Sequence, residues 1–262
     1  MAPNHPHSNH GEHAHPNHDG HSPHKRDYGQ TPLIVTWEVT QACELSCDHC
    51  RADAIPDRHP DELTTAEGKQ LLDQIAEFGS PQPILVFSGG DPLERPDLFE
   101  LLEYAATIGL RTAVTPAPTS TLTESVLDRL NDVDVRRIAL SLDGPTPERH
   151  DAFRGEDGSF ETIRRAAEYA SDIGLSIQIN TTVTAETASY LPEIAALVAE
   201  FDAVMWEVFF LVPIGRGTEL EQLSPEKAEA TLEWPDQYQR TAPFGGITDE
   251  TPHHRRIRSE ER

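Results

Sequence analysis

Cys43-Glu44-Leu45-Ser46-Cys47-Asp48-His49-Cys50 holds every cysteine of the 262-residue chain, in the spacing Cys-x3-Cys-x2-Cys. Three thiolates on one short loop, with no fourth, make a particular chemical statement. A [4Fe–4S] cube has four irons and usually takes four cysteines. Three leave one iron without a protein ligand, open to a substrate or cofactor. Structural zinc wants four closed ligands, typically in paired short spacings. His49 stands between Cys47 and Cys50 and is poorly placed to reach the same ion as both neighbours. A disulfide would leave an odd cysteine and close a strained tight loop.

Working outward, short apolar runs rich in β-branched residues alternate with segments of helical period. The runs are Leu33–Val39, Ile84–Phe87, Thr112–Thr115, Ile138–Leu142, Ile177–Val183 and Val204–Val212. Continuous apolar runs of this length suit strands buried on both faces. The expected helices are Thr65–Phe78, Pro96–Ile108, Glu124–Asn131, Phe160–Ile173, Ala188–Phe201 and Pro225–Tyr238. In the first, Leu71, Leu72, Ile75 and Phe78 mark one face, and Thr64 or Thr65 is the cap. Pro96 and Pro225 suit a first helical turn. Gly79, Gly109 and Gly174 follow three helices, where a left-handed cap is expected. Six strand–helix units in succession predict a parallel α/β architecture. Right-handed crossovers curl such a chain into a barrel or wind it into an open sheet, and periodicity does not choose between them.

Ligands of parallel α/β proteins bind at the carboxyl ends of the strands, and the unusual residues cluster there. The cysteine loop follows the first strand. The second runs into Ser88-Gly89-Gly90-Asp91-Pro92, where glycines let backbone approach a ligand. The third ends at Thr115-Pro116, and the fourth in Ser141-Leu142-Asp143-Gly144-Pro145. The fifth carries Asn180-Thr181-Thr182.

The cysteine motif, the Gly-Gly-Asp-Pro, the Ser-Leu-Asp-Gly and then His150-Asp151-Ala152-Phe153-Arg154-Gly155 together resemble the radical S-adenosylmethionine (SAM) superfamily. They are most similar to the branch whose members usually carry a cysteine-rich C-terminal SPASM or related domain. That branch includes haem and haem d1 biosynthesis enzymes and peptide-modifying enzymes. The resemblance covers about residues 32–215 and implies an α/β partial (β/α)6 barrel, TIM-like, with outer helices. It implies that Cys43, Cys47 and Cys50 ligate a [4Fe–4S] cluster whose unique iron takes the amino and carboxylate groups of SAM. Gly89, Gly90, Asp91 and Pro92 match the motif that receives the methionine amino group through backbone carbonyls, with Asp91 where most members have Glu. Ser141 and Asp143 match positions near the methionine and ribose, and Asn180 one that contacts the ribose or carboxylate. His49 stands where relatives place an aromatic ring against adenine, which Val208–Val212 would frame through backbone groups. Arg154 has two readings: partner of the methionine carboxylate through its bidentate fork, or a surface arginine paired with Glu156 or Asp157.

The chemistry so implied is reductive cleavage of SAM to a 5′-deoxyadenosyl radical, which abstracts hydrogen from a bound substrate. The cofactor carries that chemistry, and the protein supplies aim and exclusion of water. By the same resemblance the expected substrate is a porphyrin in haem biosynthesis, with propionate decarboxylation as an example, and the runner-up is a ribosomal peptide. An electron donor such as ferredoxin or flavodoxin is implied. An iron–sulfur protein without SAM cleavage stays open as a second class, although an electron carrier has no need of the glycine, serine and asparagine motifs at successive strand ends. SPASM-type relatives carry further C-terminal cysteines, and none follows Cys50. The chain reads as a barrel-only member, a truncated frame or one half of a split protein.

Residues 1–30 hold eight histidines among Pro, Asn, Ser and Gly, a composition expected to be disordered. It reads as a solvated tail, with zinc, nickel or copper capture as the alternative. Residues 31–240 form the expected barrel, and 241–262 a polar tail without a further strand–helix unit. No run of about 18 apolar residues exists to span a membrane, and no apolar stretch marks a secretory signal. Cluster-binding thiols favour a reducing cytoplasm. A net charge of −24 argues against nucleic-acid binding through a basic surface. The basic residues are Lys25, Lys69, Lys227 and 18 arginines. This acidic, lysine-poor composition is halophile-like, the alternative being a merely acidic mesophilic protein. The halophilic reading predicts a melting temperature that rises between low and molar potassium chloride as like charges are screened. A flat or falling one contradicts it.

Overall fold

The computed structural model describes residues 29–239, 242 and 247–249. The histidine-rich segment up to residue 28 and most of the expected polar tail lie outside these residues.

Seven parallel strands stand in sequential order: β1 (Ile34–Glu38), β2 (Ile84–Ser88), β3 (Arg111–Val114), β4 (Arg137–Ser141), β5 (Ile177–Val183), β6 (Met205–Phe210) and β7 (Ile247–Asp249). The helices are α1 (Thr65–Ala76), α2 (Leu98–Thr107), α3 (Glu124–Asp132), α4 (Pro147–Arg154), α5 (Ser159–Asp172), α6 (Leu191–Glu200) and α7 (Pro225–Gln239). Sequential order with a helix at each crossover curls the sheet into a partial barrel. This decides between the two architectures that periodicity left open. No helix among the described residues is long and apolar enough to cross a membrane.

Local chemistry explains most boundaries. Thr64 caps α1 in a capping box with Glu67, and Pro225 opens α7. Gly79, Gly109 and Gly174 adopt φ of 76°, 79° and 75°, the left-handed caps expected. Pro96 does not begin a helix. It holds Arg95 in the extended region, so α2 starts two residues later behind Asp97. Pro92 instead opens a 3-10 turn, Pro92–Glu94. A second 3-10 turn, Thr187–Tyr190, replaces the expected start of α6.

Two elements depart from the sequence expectation. The α4 helix was not anticipated, because it is polar and buries only His150, Phe153 and Arg154, too few to mark a stripe. In the expected polar tail, Ile247–Asp249 adds β7 in parallel to β6, pairing Trp206 with Ile247 and Val208 with Asp249. Three residues joined through backbone groups leave no alternation to read.

The strands bury one face, not two. In β5 the burial alternates strictly, with Ile177, Ile179 and Val183 in the core shared with the helices. Gln178, Asn180 and Thr182 are half-buried on the other face. This other face carries a polar group on β4 to β6, with Arg137, Ser141, Gln178, Asn180 and Glu207. Gln178 bridges it, accepting from Arg137 at 2.9 Å and donating to Glu207 at 2.6 Å and Asn180 at 2.7 Å.

One charged residue ties β1 to the first two helices. Arg95 is 2% exposed and stacks 5.4 Å from the Trp37 ring. It donates to the carbonyls of Val39 and Leu63, both at 2.8 Å, and bidentately to Asp97 at 2.9 and 3.0 Å. Arg95→Ala strands Asp97 and the buried carbonyl of Val39 and releases that of Leu63. A loss of about 3–5 kcal/mol in denaturant unfolding is expected, and a loss below about 1 kcal/mol contradicts this role.

Candidate active site

The segment Thr40–Ile55 carries the cysteines and has no regular structure beyond one bridge, Ala42 to Ile55. Its backbone is therefore held from outside itself. The Cys43 amide donates to Ile55 at 2.9 Å, and the Ile55 amide to Gln41 at 3.0 Å. From below, the Gly90 amide donates to Thr40 at 2.8 Å and the Asp91 amide to Ala42 at 2.7 Å. The Asp48 amide donates to the Phe153 carbonyl of α4 at 3.2 Å, and the Arg216 amide to the Cys50 carbonyl at 3.2 Å. Besides its own closure through Ile55, three other parts of the chain thus grip this loop.

These grips explain the glycines. A Cβ on Gly90 would stand 2.3 Å from the Ala42 carbonyl oxygen and 2.7 Å from that of Gln41. One on Gly89, whose φ is 135°, would stand 2.3 Å from the Thr40 carbonyl. The missing side chains make room for the cysteine segment itself. Asp91 is fully buried and satisfied within the protein. One oxygen accepts from the Leu93 and Ala117 amides at 3.0 and 3.2 Å, the other from the Thr119 and Thr121 hydroxyls, both at 3.2 Å. Burial pushes its pKa up against these donors. The side chain locks the β2 loop to the β3 loop and is not free for a ligand. Pro92 is buried behind it.

Cys43 and Cys47 are buried and Cys50 is half-buried, all three free thiols in one apolar cluster with Leu45, Ala117 and Ala54. Among the described residues no three His, Cys, Asp or Glu side chains converge as on a single metal ion. Thiolates of a cube bind separate irons and need not converge so. Burial pushes the Cys43 thiol up to about 11.

Asp143 and Arg154 form a buried ion pair. Asp143 also accepts from the Thr182 amide at 2.7 Å, and Arg154 Nη1 lies 3.8 Å from Cys47 Sγ. Burial opposes the Asp143 charge, yet the Arg154 cation, with His49 and His150 beyond it, holds its pKa below the ordinary range. Arg154 is neither exposed nor paired with Glu156 or Asp157. One terminal nitrogen is paired with Asp143 and the other lies against Cys47, while Nε is buried without a partner. His49 stacks on Phe153 at 4.8 Å and 12°. Burial first, then the Arg154 cation, lowers its pKa to about 4. His150 is lowered to about 4 by the same two causes and accepts from the Asp143 amide at 3.1 Å. Ser141 and Asn180 pair across β4 and β5, half-buried.

Arg216 lies outside the residues singled out by sequence reasoning. It follows β6 in the 3-10 turn Gly215–Glu219, and its Nε donates to the Cys47 carbonyl at 2.8 Å. A Cβ on Gly215, whose φ is 54°, would stand 2.5 Å from the Cys50 carbonyl. The Gly215-Arg216-Gly217 run after the last long strand was the available signal.

Four buried side-chain polar atoms lack a partner among the described residues: His49 Nδ1, His150 Nε2, Arg154 Nε and Arg216 Nη2. All belong to this neighbourhood. A buried donor left unpaired costs about 1–3 kcal/mol, and more when charged, so their concentration here points to a bound group. That group meets three thiols and two guanidinium N–H donors. A [4Fe–4S] cluster fits, being bound by thiolates, anionic with three of them, and a hydrogen-bond acceptor through its sulfurs.

Filling the Gly90 position acts on the cysteine segment. Gly90→Val displaces the segment carrying Cys43, at an overpacking cost of about 1–3 kcal/mol. Anaerobically reconstituted protein is expected to hold substantially less iron than the parent. Full iron loading with only SAM binding weakened would instead assign the glycine to the ligand.

Known proteins resemble this chain in sequence and in fold. The sequence profile of the radical SAM superfamily matches residues 37–198. The chain is 38% identical over 226 residues to the AdoMet-dependent heme synthase of Oleidesulfovibrio alaskensis, covering 86% of this chain and 58% of the relative. It is 34% identical over 193 residues to the mycofactocin maturase MftC of Mycobacterium tuberculosis, covering 72% of this chain and 47% of the relative. The chain thus spans about half to three fifths of these relatives. Streptococcus suis SuiB bound to S-adenosylmethionine shares the fold at a TM-score of 0.73 and 18% identity, covering 86% of this chain and 52% of that one. With the profile spanning most of its barrel and the cysteine loop at the head of that match, this chain belongs to the radical SAM superfamily, whose members use a [4Fe–4S] cluster and SAM.

Proposed function

We propose that this chain is the radical SAM barrel of a porphyrin-modifying enzyme of haem biosynthesis, acting on propionate side chains. The observation that carries the reading is the 38% identity to heme synthases across 86% of the chain. It is joined to a cysteine loop clamped by three neighbouring segments. When bound, the cluster and SAM supply one-electron cleavage of the sulfonium and a 5′-deoxyadenosyl radical for hydrogen abstraction.

The protein's own part is holding and aiming. Cys43, Cys47 and Cys50 bind three irons. Gly89, Gly90, Asp91 and Pro92 offer backbone groups to the methionine amine. Ser141 and Asn180, neighbours at the strand ends, serve the ribose, and His49 and Val208–Val212 enclose the adenine. The Asp143–Arg154 pair positions rather than binds: it keeps a cation beside Cys47 Sγ, which stabilises a thiolate against the burial that favours the thiol. The polar face around Gln178 receives the substrate. A ferredoxin or flavodoxin supplies electrons, and the free thiols suit a reducing cytoplasm. The acidic, lysine-poor surface is a high-salt adaptation.

Peptide modification is the second reading, supported by the 34% identity to the mycofactocin maturase. Anaerobically reconstituted protein, reduced with dithionite and given SAM with coproporphyrin, with and without iron, separates the two. The expected product has lost carbon dioxide and two hydrogens per converted propionate, with 5′-deoxyadenosine formed in step. SAM cleavage that leaves both porphyrins unaltered would count against the porphyrin reading.

A further inference from the structure

Arg216 combines three features. Its Nε is fixed on the Cys47 carbonyl at 2.8 Å, and its amide on the Cys50 carbonyl at 3.2 Å. Its Nη2 is buried and has no partner. Its flanking backbone is pressed onto the same loop, since Gly215 lies against the Cys50 carbonyl and Gly217 approaches the His49 Cα. Side chain and amide alike are therefore fixed on the loop between two cysteines, and a buried cationic nitrogen, Nη2, is left over there. A guanidinium is always charged and presents its donors in a rigid plane, so fixing Nε also fixes where Nη2 can reach.

We propose that Arg216 is a positioning residue that donates Nη2–H to the iron–sulfur cluster and thereby raises its reduction potential. The inference rests on the reading that the cysteine loop holds a [4Fe–4S] cluster. Reduction adds one negative charge, and a cationic donor stabilises the reduced form more than the oxidised one. Cluster potentials follow net charge and hydrogen bonds to the sulfurs. Arg154 differs in that Asp143 offsets its charge and its terminal nitrogens are held by Asp143 and Cys47, with Nε alone unpaired. The two cations would act from different sides. Arg154 supports one ligand sulfur, whereas Arg216 couples the loop after β6 to the cluster as a whole. A substrate or partner that moves that loop would then shift the potential.

The test is a redox titration of the full chain, followed by electron paramagnetic resonance, beside iron and sulfide analysis of the same samples. The parent is compared with Arg216→Lys and Arg216→Gln. Arg216→Gln is expected to keep about four irons per chain, the content of one cube. Its midpoint should fall by at least about 59 mV, a tenfold change in a one-electron equilibrium. Arg216→Lys, which keeps the charge without the planar fork, is expected to lie between the two. An unchanged midpoint in an iron-replete Arg216→Gln protein overturns the inference and leaves the cluster reading intact. Loss of iron from both variants also overturns it, since Arg216 would then act only by holding the loop. A parent that assembles no cluster refutes the underlying reading and this inference together.

Discussion

Backbone carbonyls of the segment Thr40–Cys50 accept hydrogen bonds from amides far away in sequence, and the site depends on this. A loop carrying three ligands for one cluster has no helix or strand ladder to fix it. Thr40 and Ala42 are bonded by the residues after β2, and Cys50 by the residue that follows Gly215. The Asp48 amide turns the other way, to the end of α4. The grips on Thr40, Ala42 and Cys50 come from the chain that follows β2 and β6, because all strands run parallel and present their carboxyl ends together. Parallel topology thus does more than place the loop at the rim. It surrounds the loop with donors already aligned.

The same crowding sets the electrostatics. A chain of net charge −24 places two buried guanidinium donors around one cysteine, Arg154 at its sulfur and Arg216 at its carbonyl. Asp143 offsets one of them and is itself held by the Thr182 amide. Both neighbouring histidines stay neutral, as burial and the Arg154 cation require. The local field is therefore set by fixed cations that do not titrate in the physiological range.

Much of this was legible in the residues. Strand runs and cap glycines fell where backbone rules put them, because the buried face of each strand is apolar and each cap needs a positive φ. The cysteine spacing and the polar strand ends named the site. What escaped has physical reasons. The α4 helix is held by Phe153, His150 and Arg154 against the site, with no apolar stripe to announce it. The strand β7 needs only backbone pairing. The direction of the Gly90 Cβ, toward Ala42 rather than a ligand, depends on a contact between residues 48 positions apart. The partner of Arg154 is Asp143, which sits on the preceding strand end, where charge proximity in sequence to Glu156 and Asp157 misleads. Arg216 stands 169 positions from the carbonyl it holds.

The central claim is that three cysteines hold a cluster whose fourth iron is open to SAM. Electron paramagnetic resonance of the dithionite-reduced, iron-replete protein, recorded with and without SAM, tests it most directly. Coordination of the methionine amine and carboxylate to the open iron predicts a changed signal on adding SAM, and a further change when SAM is replaced by a non-cleavable analogue is not required. A signal indifferent to saturating SAM in fully loaded protein would mean a closed cluster, and the account would fail at its foundation.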